Sequence, residues 1–130
     1  KEFLKEYSSS ENVPEVLLMI AASYYKNGQY TDANYFFDRL FNEHKESIYA
    51  KWGYIYKGDM ANDSGEETKA KKYYNKALVE TKNLELAATA AFKLANLYLQ
   101  NGKYEKASSY VNKIIKAKDD FFYNHYGQAK

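Results

Sequence analysis

The chain has 130 residues, a formal net charge of +2 and no cysteine. That length supports one domain with a sizeable core, and the lack of Cys excludes disulfides, thiolate zinc sites and Cys nucleophiles. No apolar run approaches the roughly 20 residues of a membrane-spanning helix, and lysines alternate with acids instead of forming the basic stripe that nucleic acid requires.

Residues 1–13 open with KEFLKEY and read as the tail of an earlier helix. The chain has neither a signal peptide nor an initiator Met at its start and is expected to be a mature or excised piece of a longer array. Pro14 suits the first turn of a helix over 14–27, whose apolar face is Leu17, Ile20, Ala21 and Tyr24. Asn27-Gly28 supplies a left-handed stop. A second helix, 30–44, carries Ala33, Phe37 and Leu40 on one face.

The next stretch, YAKWGYIY, predicts a helix over 47–57 with Tyr49, Trp52, Gly53 and Tyr56 as its packing face. KGDMANDSGEE then reads as a long turn, with Ser64 and Glu67 forming a capping box for a helix over 66–82. Ala70, Tyr74 and Ala77 line that helix. A helix over 85–101 follows, with Ala91, Leu94, Ala95 and Tyr98 at helical spacing, and Asn101-Gly102 ends it. The last full helix is expected over 104–117, with Ala107, Val111 and Ile114 inward. Asp119-Asp120 is an expected N-cap for a further helix within 120–130.

Ala33, Ala70 and Ala107 are 37 residues apart, and each is followed by bulky or apolar residues four and seven positions on. A small residue recurring at one place on three helices identifies three copies of one helical hairpin. The units are 14–47, 48–84 and 85–119.

These residues resemble the tetratricopeptide repeat. Leu17, Ala21, Tyr24, Gly28, Tyr30, Ala33, Phe37 and Leu40 carry the resemblance in the first unit, and Ala95, Tyr98, Gly102, Tyr104, Ala107, Val111 and Ile114 in the third. The middle unit is similar to the Sel1-like variant because of its long turn. The resemblance implies an all-α, right-handed α-solenoid of antiparallel helix pairs, with partial flanking helices. It also implies a non-catalytic protein-interaction scaffold.

No catalytic constellation competes with that reading. His44 and His125 are 81 residues apart, and neither has a second ligand at helical spacing. The acids of MANDSGEE lack the alternating oxygen ligands of a calcium loop. No metal or cofactor is expected. The 15 tyrosines fall mainly on packing positions, so single-stranded RNA binding is an alternative only, as is a regulatory domain of a larger enzyme.

The resemblance implies that the face one residue along from the packing set lines a concave groove for a peptide or assembly partner. It comprises Leu18, Ala22 and Tyr25, then Ala50, Tyr54 and Lys57, then Phe92, Asn96 and Leu99. Relatives that clamp a C-terminal carboxylate use Lys and Asn on this helix; only Asn96 fits, so no such clamp is expected. Self-association through the ends of the array is a further expectation. Lys outnumbers Arg 18 to 1, which reads as an AT-rich bacterial genome. Together with the resemblance it places an envelope, periplasmic or flagellar-motor scaffold ahead of a cytoplasmic adaptor.

Overall fold

The computed structural model describes residues 12–79 and 81–122. Six helices follow one another: α1 (Val13–Lys26), α2 (Tyr30–Glu43), α3 (Ile48–Asp63), α4 (Glu67–Leu78), α5 (Leu84–Gln100) and α6 (Tyr104–Phe122). No strand occurs among the described residues. Each helix packs on the next, and the first helices of successive pairs also meet, α1 on α3 and α3 on α5. The pairs α1–α2, α3–α4 and α5–α6 are units 1, 2 and 3, and in each the first helix is A and the second B. This is the all-α solenoid of helical hairpins expected from the repeat.

The turn inside each unit is built the same way. Gly28, Gly65 and Gly102 have φ of 80°, 78° and 72°, the left-handed region that favours glycine. The following amide donates back over helix A: Gln29 to Tyr24 at 2.9 Å, Glu66 to Ala61 at 2.8 Å and Lys103 to Tyr98 at 2.8 Å. The glycine amide donates to Tyr25, Asn62 or Leu99, at 3.0 Å in all three. These are the paired bonds of a Schellman motif, which satisfies carbonyls that a helix end leaves orphaned. The motif recurs every 37 residues.

This corrects the reading of unit 2. Its turn is Ser64-Gly65, as short as the other two, and α3 runs on to Asp63. Ser64 is the C-cap of α3 and not the head of a capping box; the N-cap of α4 is Glu66, which makes no side-chain cap bond. The long turn that made this unit similar to the Sel1-like variant is absent. Gly58 is helical and does not break α3, because it is where helix B packs: a Cβ there would collide with the Tyr74 ring. Gly53 serves the preceding unit, since a Cβ there would meet Phe41 at 2.8 Å.

Two other ends also differ. α4 stops at Leu78, where Val79 turns extended. α6 runs to Phe122, so Asp119 and Asp120 lie inside it instead of capping a further helix. No Gly or Pro stands between Ala107 and Phe122 to stop it. The expected helices at 1–13 and 120–130 fall mostly outside the described residues, as does His125.

The core lies in two clusters along the array. One gathers Leu17, Ala21, Ala33, Phe37, Leu40 and Ala50; the other Ile55, Ala70, Tyr74, Ala77, Leu86 and Leu94. Ala33 and Ala70 are fully buried and Ala107 nearly so, which lets the two helices of each unit approach closely.

Two substitutions test this register. Gly65→Ala forces a side chain into the left-handed region and should destabilise the chain by about 1 kcal/mol. Gly58→Ala drives a methyl into Tyr74 and should cost about 1–3 kcal/mol. Urea melts read both; a Gly65 change without effect would restore the long, adaptable turn.

Candidate functional site

Counting in steps of 37 brings the three A helices into one register. Leu17, Ala21 and Tyr24 face helix B in unit 1, and their counterparts are Tyr54, Gly58 and Ala61, then Ala91, Ala95 and Tyr98. The opposite face, at spacing 0, 4, 7 and 11, holds Glu15, Met19, Ala22 and Lys26 in α1. It holds Trp52, Tyr56, Asp59 and Asp63 in α3, and Thr89, Lys93, Asn96 and Gln100 in α5. Most of this face is open to solvent: Met19 is 62% exposed, Lys26, Asp63, Asn96 and Gln100 are exposed, Trp52 and Tyr56 are half-buried, and only Ala22 of those named is buried.

Polar contacts tie the rows together. The Tyr25 hydroxyl donates to Asp63 Oδ2 at 2.6 Å, joining α1 to α3. Lys93 Nζ lies 3.0 Å from Asp59 Oδ1, joining α5 to α3. Asp59 also accepts the Tyr74 hydroxyl from helix B. One carboxylate thus links both helices of unit 2 to unit 3. Asn101 adds a further tie, donating to Glu67 at 3.0 Å.

The residues expected to line the groove divide into five groups. Asn96 lies exposed on the open face, and Ala22 lies on the same face but buried. Leu18 and Tyr25 are half-buried in the seam between units 1 and 2, where the Tyr25 ring lies 6.2 Å from that of Tyr56. Tyr54 and Lys57 point to the B helices. The Tyr54 ring stacks on Phe41 of α2 at 4.3 Å, with Tyr73 of α4 at 6.4 Å. Lys57 Nζ donates to Asn34 of α2 and sits 5.5 Å from the Tyr73 ring. Ala50 is 1% exposed, in the core. The unit-2 residues were misplaced because helix A had been phased on Gly53 instead of Gly58. Phe92 and Leu99 are exposed, but on the end of the array beyond α5.

Met19, Trp52, Tyr56, Asp59 and Lys93 were missed. The recurrence of Gly28, Gly65 and Gly102 was the signal that places them.

A model of the tetratricopeptide repeat-like domain matches residues 19–126. The chain belongs to the tetratricopeptide repeat-like family. A search of curated proteins finds no match to it. Repeats of this family are protein-interaction scaffolds and typically non-catalytic. In this repeat protein His44 sits at the C-cap of α2, its backbone amide bonded to Leu40. Among the described residues no group of three or more His, Cys, Asp or Glu is placed to hold a metal, and no helix is long and apolar enough to cross a membrane.

Burial pushes the Tyr74 and Tyr25 hydroxyls well above the ordinary tyrosine range, and the hydrogen bonds to Asp59 and Asp63 push the same way. Each keeps its proton in the folded chain where the unfolded chain has lost it. The stability so gained is whole below the unfolded value, near pH 10, and is lost as pH rises toward the folded one. The urea midpoint should therefore fall between about pH 9 and pH 11, and fall less in Tyr25→Phe/Tyr74→Phe. An equal fall in both proteins would contradict these assignments.

Proposed function

We propose that the chain is a protein-interaction scaffold that holds an extended or helical peptide segment across the open face of its A helices. The observation that carries the reading is that face itself: three in-register helices present Met19, Trp52 and Tyr56 beside Asp59, Lys93 and Asn96. Apolar and aromatic side chains with sparse polar groups suit a segment that buries its own apolar residues and is positioned by a few hydrogen bonds. Glu15 and Lys26 stand at opposite ends of the α1 row and Asp63 at the Lys26 end of the α3 row, so the groove presents both signs of charge.

The aromatic surface does not by itself favour single-stranded RNA. Several lysines lie over tyrosine rings on the helix B side: Lys71 and Lys106 over Tyr98 at 4.7 and 5.4 Å, Lys76 over Tyr54 at 5.3 Å, and Lys113 over Tyr110 at 5.4 Å. Those charges are engaged within the fold and lie away from the open face.

Trp52 is the only tryptophan and stands in the groove, so its emission reports occupancy directly. A partner segment recovered by affinity capture should shift Trp52 emission to the blue on titration. Met19→Asp with Asn96→Ala should weaken that titration more than about tenfold, the scale of one or two lost interface anchors, with the helical circular dichroism unchanged. Affinity should respond only mildly to salt. Binding that survived the two changes would place the interface elsewhere, and a steep salt dependence would favour nucleic acid.

A further inference from the structure

Lys57 stands where the repeat otherwise places an aliphatic side chain. Its counterpart 37 residues on is Leu94, fully buried, and its counterpart 37 residues before is Ile20, packed on the first core cluster. Lys57 is itself half-buried, and its hydrogen bond goes to a neutral group, Asn34 Oδ1. Among the described residues no carboxylate pairs with it. Lys93, also half-buried, has Asp59 at 3.0 Å. Lys76 and Lys113, which lie over tyrosine rings, are exposed and keep their charge in water. Burial holds the Lys57 ammonium below the ordinary lysine value; the Asp38 carboxylate works against that, and the Lys69 charge adds to it. A partly buried cation without a counter-ion costs stability, and the fold has an apolar residue for the same place.

Lys57 lines a cavity of about 140 Å³ between α2, α3 and α4, at the seam of units 1 and 2. That is below the roughly 300 Å³ at which drug-sized pockets begin, and it suits one small ion with bound water. Asn34, Ser64, Lys69 and Tyr73 share the lining. An ammonium has three donors, and Asn34 takes one of those of Lys57. Asn34 accepts that bond through its oxygen, so its amide group remains a donor. Ser64 brings a hydroxyl and Lys69 a second cation. One acid lines the cavity, Glu66, whose Oε2 lies 3.7 Å from Lys69 Nζ with both side chains about half exposed. Such a surface pair is weak, and the lining keeps one positive charge in excess.

We propose that this cavity is a binding site for a small oxyanion of the phosphate type, with Lys57 and Lys69 as its cations and Asn34 and Ser64 as neutral donors. The anion supplies the counter-charge that Lys57 lacks, through hydrogen bonds between ionised groups, which are the strong ones. The lining comes from α2 of unit 1 and from α3 and α4 of unit 2, so an occupant also ties two units together. The site lies on the helix B side and does not depend on the groove.

The test is a titration of the 130-residue chain with inorganic phosphate at constant ionic strength, read in nitrogen-15 spectra by the Ser64 backbone amide and the Asn34 side-chain amide. Both signals should move on one saturable curve, with a Kd near about 1 mM. Lys57→Met makes the position apolar, as it is in unit 3, and should weaken binding more than about tenfold, the scale of a hydrogen bond to a charged group. Lys69→Gln should weaken it and Glu66→Gln strengthen it by about two- to fivefold, the scale of an exposed charge pair. These two exposed changes decide the matter if Lys57→Met does not fold. Phenyl phosphate separates the sources: binding on the same curve assigns the site to a phosphomonoester on a larger molecule, and failure to bind assigns it to the free ion. Shifts that never saturate overturn the proposal, as does a curve that Lys57→Met leaves intact or that Lys69→Gln and Glu66→Gln leave equal.

Discussion

Everything in this array depends on the left-handed glycine that ends each A helix. Only glycine enters that region without a steric cost, so Gly28, Gly65 and Gly102 each determine where helix A stops and where helix B begins. The two backbone bonds around each glycine then set the angle of the hairpin. With the turns equal in build and 37 residues apart, every later contact recurs at the same interval.

Within that frame the contacts pair a small residue with a ring or an alkyl chain. Gly58 receives Tyr74 inside unit 2, and Gly53 receives Phe41 from unit 1. Ala33 and Ala70 do the same work inside the hairpins at no exposure at all. The abundance of Tyr and Lys follows from the packing of the B helices. Tyr98 stacks on Tyr110 at 5.7 Å and carries Lys71 and Lys106 over its ring. A lysine can bury its stem on an aromatic ring and leave its charge in water, at about 0.5–1 kcal/mol per exposed pair.

Most of the fold was legible in the sequence because helix B repeats its small and bulky positions faithfully. Ala33, Phe37 and Leu40 have counterparts in Ala70, Tyr74 and Ala77, and all six are buried. Helix A of unit 2 was harder. YAKWGYIY imitates the 0, 3, 4, 7 pattern by itself, and Gly58 looks like a stop where it is a packing site. Ser64-Gly65 lacks the Asn that marks the other two turns. A phase error in that helix moved Tyr54 and Lys57 into the groove and kept Trp52, Tyr56 and Asp59 out of it. Leu18 and Tyr25 were misassigned for a different reason. A helical wheel gives the angle of a residue, but whether a neighbouring helix covers that angle is a tertiary fact. The length of α6 was also hidden, since no Gly or Pro between Ala107 and Phe122 marks a stop.

The central claim is that the three units share one turn and hence one register. Amide hydrogen exchange at Gln29, Glu66 and Lys103 tests it most directly, because these amides close the three turns at 2.8–2.9 Å. The account expects all three to be protected to a comparable degree, each exchanging through local opening of its own hairpin. A Glu66 amide that exchanged like a free peptide beside protected Gln29 and Lys103 would contradict it, and with it the groove built on that register.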